Sequence, residues 1–352
     1  MEAISFKLVW VSILIGCIGG VFKDAESANP PAAAYNLRIP DKAWKNWAQK
    51  FEKKYKDEKE EKERFQIWKQ NGKYVVNFNR KQDKEPGNNK MKLKMNKFGD
   101  LTNEEYRKFY LNSKLQSYVR PRDIKQRTSQ RKRRSTTTVE KDWRDEGKVT
   151  PVKDQGSCGS CWAFSTTGTI ESHYAIKHGP LIPLSEQQLV DCTTENSGCN
   201  GGVVQWAYNY VKEETDGLES EHQYPYEAID NNCRYDHSKA NVTISGYEDI
   251  PFADETEQVA ALNDHGPISV CVDAGHLSFQ LYSSGVFYDP NCDPFSINHA
   301  VIAVGFGSEG GSDYWIIKNS WGTGWGDDGY MKVSRNRNNH CGIATQSCYP
   351  II

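Results

Sequence analysis

The chain has 352 residues, enough for one large domain or two smaller ones, and its 37% hydrophobic and 26% charged residues fit a soluble globular protein and exclude a polytopic membrane protein. The formal net charge of −2 conceals a division: residues 41–134 hold 29 Lys+Arg against 13 Asp+Glu, a net of +16, whereas residues 135–352 hold 12 against 30, a net of −18. A basic patch often serves nucleic acid. Here the most concentrated opposite charge is the other part of the same chain, so the pattern argues for an internal complex and against a nucleic-acid partner.

At the N-terminus, Lys7 precedes a mostly apolar run, Leu8 to Phe22, followed by small residues such as Ala25. This predicts a signal peptide over 1–22. A membrane anchor is the alternative, but the run is short for spanning a bilayer. Ten cysteines agree with an oxidising compartment. Residues 23–40 read as a polar spacer.

Residues 41–80 are predicted to be helical, being rich in Lys, Glu and Gln and free of proline. Trp44, Trp47 and Phe51 recur at helical spacing in the first part. In the second, Glu60, Arg64, Trp68, Asn71, Val75 and Asn79 lie along one slowly drifting stripe. Residues 81–90 form a polar turn region. Met95 to Asp100 predicts a strand and then a turn, and Asp100 or Thr102 is positioned to cap a short helix from about Asn103. Residues 113–140 hold few large apolar side chains and include Arg131–Lys132–Arg133–Arg134, a basic tetrapeptide suited to proteolytic processing.

The character changes from about Ser135. A helix is predicted over Cys161 to Lys177, and strands over Asn241–Gly246, Pro267–Asp273, Ala300–Gly307, Asp313–Asn319 and Gly329–Ser334. Helices early and strands late imply an α+β protein of two packed subdomains, with a cleft between them as the natural place for a site.

The sharpest local signal is Gln155–Gly–Ser–Cys158–Gly–Ser–Cys161–Trp–Ala–Phe–Ser165. It matches a nucleophilic-cysteine signature that calls for His and Asn far downstream. Asn298–His299–Ala300 follows Cys161 by 138 residues, and Lys318–Asn319–Ser320–Trp321–Gly322 places its Asn 158 residues on. On these motifs the chain resembles the papain-like cysteine proteases of the cathepsin L type, as a precursor. The Glu60-to-Asn79 stripe resembles the long-helix motif of that branch's propeptide, with Trp68 and Val75 as variants. Asn96, Phe98 and Asp100 resemble the second propeptide motif, although Lys94 stands where some relatives have Gly.

The resemblance implies a papain-like fold with a helical left domain, a β-barrel-like right domain and an N-terminal inhibitory helical propeptide. The expected domains are a signal over 1–22, a propeptide over 23–134 with its inhibitor-like part at about 41–110, and a peptidase over 135–352. It implies Cys161 as nucleophile, His299 as proton-transfer partner, Asn319 as orienter of the imidazole, Trp321 as a shield over that bond, and Gln155 as an oxyanion donor beside the Cys161 backbone N–H. Implied disulfides are Cys158–Cys199, Cys192–Cys233 and Cys292–Cys341. Cys271 and Cys348 remain, either as buried thiols or as a further pair. Gly201 and Gly202 are expected to present backbone to an extended substrate. Val203, Val204, Cys271, Ile297, Ala300 and Gln346 are expected around a pocket for the residue two before the scissile bond (P2). Aliphatic walls favour Leu, Val or Phe there, and a neutral Gln346 gives no reason to expect Arg.

No segment resembles the occluding loop of cathepsin B-type exopeptidases, so an endopeptidase is expected. Physical chemistry points the same way. A thiol attacks only as thiolate, and a helix N-terminus with an adjacent imidazolium stabilises that anion.

Cys158 and Cys161 also form a C-x-x-C pair. A zinc site would want a second close Cys/His pair, and a thioredoxin-like site a βαβ context. Neither is present, nor is a Gly-x-Ser-x-Gly motif, so no metal or cofactor is expected. The remaining expectations are acid-triggered activation, N-glycosylation at Asn241–Val242–Thr243, a lysosomal or extracellular destination, a monomer, and cystatin-like inhibitors as partners beside protein substrates and the propeptide.

Overall fold

A computed structural model describes residues 41–86, 90–112, 115 and 140–352. The signal-like run, the spacer and the basic tetrapeptide lie outside the described residues.

The N-terminal segment is held by an aromatic cluster. Helix α1 (Asp41–Lys50) buries Trp44 and Trp47 against Trp68 and Phe65 of α2 (Glu58–Lys84). The expected continuous helix is broken, because Asp57 starts α2 afresh by accepting a hydrogen bond from Glu60 N. Helix α2 also runs past the expected turn at residue 81, as far as Lys84.

The mixed stripe on α2 finds a polar partner. Asn71 Nδ2 donates to Gly99 O and Leu101 O, both at 2.9 Å, and Asn79 bonds Leu93 through both its amide nitrogen and its oxygen. Arg64 pairs with Glu105 at 2.7 Å. Strand β1 is Lys92–Leu93, earlier than the expected strand, and Lys97–Asp100 form the turn. Helix α3 (Asn103–Tyr110) begins as expected, with Thr102 and Glu105 closing a capping box.

After β2 (Lys141–Asp142) comes α4 (Cys161–His178), the central helix, buried around most of its circumference. Two of its hydroxyls are satisfied within the helix: Thr166 and Ser172 donate to carbonyls four residues back. Helices α5 (Glu186–Cys192) and α6 (Val204–Glu213) complete the helical half.

The second half is sheet. It comprises β3 (Gly246–Asp249), α7 (Glu255–Asp264), β4 (Ile268–Val272), α8 (Leu277–Gln280), β5 (Tyr282–Ser284), β6 (Val286–Phe287), β7 (His299–Glu309), β8 (Ser312–Lys318), β9 (Tyr330–Ser334) and β10 (Ser347–Ile351). Among the described residues, eight strands form one sheet in the order β3-β10-β4-β7-β8-β9-β6, with β2 on β7. The strand expected over Asn241–Gly246 is absent. Val242 makes only an isolated bridge to Leu218, and β3 begins where that stretch ends, paired with β10. Nothing in the composition of Ser347–Ile351 marked it as a sheet strand.

Helix α4 packs on β4, β7 and β10. Ser165 Oγ bonds both Val301 O at 2.9 Å and Ser269 Oγ at 2.7 Å, fastening helix to sheet. Gly168 permits the approach: a Cβ there would lie 2.3 Å from Ile302 Cδ1. Close packing of these two elements fixes the N-terminus of α4 against the start of β7.

The N-terminal segment is part of the same body. Strand β1 pairs antiparallel with β5, Phe98 meets the Trp321 ring edge-on at 5.2 Å, and Tyr106 Oη donates to Ala274 O. Lys97 and Asp154 form an ion pair across the boundary at 2.6 Å.

Candidate active site

Cys161 is the first residue of α4 and His299 the first of β7, so helix–sheet packing brings together residues 138 apart. The Ala300 backbone N–H donates to Cys161 Sγ at 3.5 Å. Ser160, the cap residue of α4, makes no side-chain capping bond, and the backbone N–H groups of Cys161 and Trp162 bond the sulfur.

His299 Nε2 lies 2.8 Å from Asn319 Oδ1, and that oxygen also accepts from Ser320 N. An acceptor on that side requires the proton on Nε2, which leaves Nδ1 with its lone pair. Nδ1 is buried and has no hydrogen-bond partner. Trp321 stacks on the imidazole with centroids 4.5 Å apart.

Gln155 reaches the same cleft from the loop before α4. Its Nε2 donates to Cys158 O at 2.8 Å and Tyr110 O at 3.3 Å, while its Oε1 accepts from Ser320 Oγ at 2.6 Å. The Cys158 carbonyl, which can only accept, sets which end of the carboxamide it faces, and Ser320 holds the other end in place. Sequence reasoning missed this role, because the serine stands out only as the neighbour of Asn319.

The N-terminal segment fills the cleft. Asn112 Nδ2 donates to Gly202 O at 2.7 Å, the Asn112 backbone N–H donates to Asn298 O at 2.7 Å, and its side chain also bonds the Cys161 sulfur. Gly201, at φ +111°, approaches so closely that a Cβ would lie 2.0 Å from Asn112 Oδ1. Leu115 is completely buried in one apolar cluster with Cys161, Trp162, Val204, Cys271, Ile297 and Ala300. Val203 is buried outside that cluster, its N–H donating to Asn196 Oδ1. Gln346 adjoins through its carbonyl, which accepts from Cys271 N. No sequence signal marked Asn112 or Leu115.

Burial sets the charge state. The Cys161 thiol is pushed up to about 11 by burial, against the backbone N–H groups that pull it down. His299 is lowered to about 4, again by burial, with the Asn319 bond opposing. With the N-terminal segment in place, the pair is therefore a neutral thiol and a neutral imidazole rather than the ion pair expected from residue types.

Beneath the site, Lys153 bonds both Glu171 at 2.7 Å and Glu186 at 2.6 Å. Glu171 also faces Lys318 and accepts from Leu184 N, so its carboxyl is lowered despite complete burial. Glu186 is raised to about 7, by burial first, with Lys153 opposing and the charges of Glu171 and Glu221 adding to the rise.

The disulfides are Cys158–Cys199, Cys192–Cys233 and Cys292–Cys341, so the C-x-x-C pair is not a free dithiol. Cys161, Cys271 and Cys348 are free and buried. Asn241 is exposed, its amide donating to Gln223 Oε1 and Lys239 O.

Residues 137–351 match the model of the papain family cysteine proteases, and residues 44–106 match that of the cathepsin propeptide inhibitor domain. Digestive cysteine proteinase 2 of Homarus americanus is 48% identical over 319 residues, covering 90% of this chain and 96% of that protein. Cathepsin L1 of Drosophila melanogaster is 43% identical over 316 residues, covering 88% and 84%. A digestive procathepsin L 3 structure from Tenebrio molitor larval midgut superposes with a TM-score of 0.79 at 39% identity, covering 89% of this chain and 99% of that one. A cysteine at a helix N-terminus, an asparagine-bound histidine, a filled cleft and these matches agree: the chain belongs to the papain family of cysteine proteases and is a cathepsin L-like cysteine endopeptidase made with its own inhibitory propeptide.

Proposed function

We propose that Cys161 and His299 hydrolyse internal peptide bonds of proteins through an acyl-enzyme once the propeptide leaves the cleft. The observation that carries this is the Cys161 sulfur at the N-terminus of α4, in contact with the N–H of the residue after His299. When water replaces Asn112 and Leu115, the penalty on both charged forms falls, and the thiol proton moves to His299 Nδ1. The thiolate attacks the carbonyl carbon. The oxyanion accepts from Gln155 Nε2 and the Cys161 N–H, which in the proenzyme is anticipated by the Tyr110 carbonyl at Gln155. His299 protonates the leaving amine, then takes a proton from the water that cleaves the thioester. Asn319 holds the imidazole, and Trp321 keeps water from that hydrogen bond.

Leu115, in its cluster with Val204, Cys271, Ile297 and Ala300, supports a P2 preference for aliphatic or aromatic residues. Gly201 and Gly202 supply backbone to the substrate strand, the role Gly202 O already plays for Asn112. We place the propeptide at 23–134 and the peptidase at 135–352, behind a signal peptide at 1–22. The signal-like run and three disulfides favour the secretory pathway, with a lysosomal or extracellular end point, and no described helix is long and apolar enough to cross a membrane. The enzyme acts as a monomer, is glycosylated at Asn241 and is open to cystatin-like inhibitors once mature. Acid favours activation, because the propeptide is basic and the peptidase acidic, and their attraction weakens as carboxylates in general gain protons near pH 4. Proenzyme should mature faster at about pH 4–5 than at pH 7; equal rates would remove the acid trigger.

The central test is Cys161→Ser together with labelling by a thiol-alkylating peptide epoxide. Loss of cleavage and modification of Cys161 alone are expected. A serine variant with native activity, or labelling confined to other residues, would overturn the assignment.

A further inference from the structure

Glu186 and Glu221 each have one carboxylate oxygen engaged and one left over. Glu186 Oε1 accepts from Lys153 Nζ at 2.6 Å and from the Thr167 hydroxyl. Glu221 Oε1 accepts from Tyr226 N at 3.0 Å. Both Oε2 atoms are shielded from solvent, and no donor among the described residues reaches either. The two side chains are nonetheless hydrogen-bonded to each other. An ionised carboxylate only accepts, so a bond between two carboxyl groups needs a proton.

The surrounding charge asks for the same proton. Among the described residues, the charged groups facing the pair are Lys153 from the loop before α4, Glu171 of α4 and Lys318 at the end of β8. The Tyr226 phenol also faces it and stays protonated, raised first by burial. Three carboxyls and two ammonium groups become neutral with one proton. Without it, two desolvated carboxylates would stand in contact. Burial raises both members, Glu186 to about 7.

The pair also joins two anchors of the segment that carries Gln155. Lys153 precedes Gln155 by two residues. Tyr226 Oη donates to Gln155 O at 2.8 Å and lies 2.6 Å from the hydroxyl of Ser160, the residue before Cys161. Its ring meets Phe164 of α4 edge-on at 4.8 Å. Glu186 thus holds the start of the segment 153–160, and Glu221 holds its middle and end through Tyr226.

We propose that Glu186 and Glu221 share one proton and that Glu221 is a positioning residue, keeping the Gln155 amide aimed at the oxyanion by way of Tyr226. When the proton passes to solvent, two like charges repel and the hold on the segment loosens. This rests on the reading of Gln155 as oxyanion donor, and the assays separate the two.

Mature enzyme is assayed with a fluorogenic peptide carrying Leu at P2, from about pH 5.5 to 8, across the neutral region where the pair loses its proton. Wild-type kcat should fall about two- to fivefold over that range with little change in KM, the worth of a weakened hydrogen bond. Iodoacetamide labelling of Cys161 should stay nearly flat, which distinguishes a loosened segment from a lost thiolate or a lost fold. Glu221→Gln supplies an NH2 donor that cannot titrate, and the fall should vanish. Glu221→Ala also strips Tyr226 N of its acceptor, and kcat should stay low by about two- to fivefold at every pH. The proton itself is read without turnover, as an infrared protonated-carboxyl band of wild type at about pH 6.5 that Glu221→Gln lacks. No such band, or an equal fall in Glu221→Gln, would overturn the shared proton and assign the fall to Lys318, lowered to about 8 by burial. A flat wild-type kcat, or full kcat in Glu221→Ala, would overturn the positioning role. Undiminished kcat in Gln155→Ala would instead count against the oxyanion donor, and no turnover at any pH against the activity itself.

Discussion

Removing the propeptide should change the ionisation of Cys161, and the pH dependence of its alkylation reads that change. In the covered site the thiol stands at about 11 and the imidazole at about 4. Moving the proton from sulfur to nitrogen then crosses a gap of 7 units, about 10 kcal/mol before the two charges attract. Attraction between unit charges about 4 Å apart, with an effective dielectric near 20, would return about 4 kcal/mol. The neutral pair therefore prevails by several kcal/mol, and the proenzyme is chemically quiet as well as blocked. Iodoacetamide labelling of Cys161, followed by mass spectrometry on intact proenzyme and on mature enzyme, separates the two effects. A thiol with a raised pKa gains reactivity tenfold per pH unit below that pKa. Steric blocking of a preformed ion pair lowers the rate without giving a slope. Between about pH 6 and 9 the proenzyme rate should climb close to tenfold per unit, and the mature rate should be high and nearly flat from about pH 5 to 8. A flat, merely reduced profile in the proenzyme would refute the neutral-pair argument.

Other consequences are open to direct measurement. Leu115→Ala removes a completely buried side chain from the filled cleft and should cost about 2–5 kcal/mol of propeptide docking, seen as premature peptide cleavage by proenzyme at neutral pH; a silent proenzyme would mean that Leu115 does not anchor the block. Ser320→Ala releases the Gln155 carboxamide and should lower kcat by about three- to tenfold with little change in KM, and an unchanged kcat would show that the 2.6 Å bond is not needed to aim the amide. Glu186, raised to about 7 in the fold, contributes stability that is complete below its unfolded value near 4.5 and is lost as pH rises through about 7. Urea denaturation should therefore show Glu186→Gln gaining on wild type by up to about 3 kcal/mol between pH 4.5 and pH 7.5. A constant difference would place the ionisation elsewhere.

Local rules made part of this protein legible without its structure. The start of α3 near Asn103, the extent of α4 and the cores of β4, β7, β8 and β9 follow from periodicity and capping, which depend on near neighbours in the chain. Cys161, His299 and Asn319 were legible because the motifs around them are distinctive, even though a lone histidine among eight is not. Elements whose stability comes from a distant partner were not. Strand β10 forms because β3 and β4 flank it, and Asn241–Gly246 fails as a strand because Val242 meets only Leu218.

The residue types of the reacting groups, the helix that carries the sulfur and the charge division of the chain were thus determined by sequence alone. Tertiary structure decided the state of those groups. The neutral pair at Cys161 and His299, the hold of Ser320 on Gln155, the burial of Leu115 and the unmet oxygen of Gln346 all depend on groups far apart in the chain. Desolvation and hydrogen-bond direction are properties of what surrounds an atom, and a linear sequence does not state its surroundings.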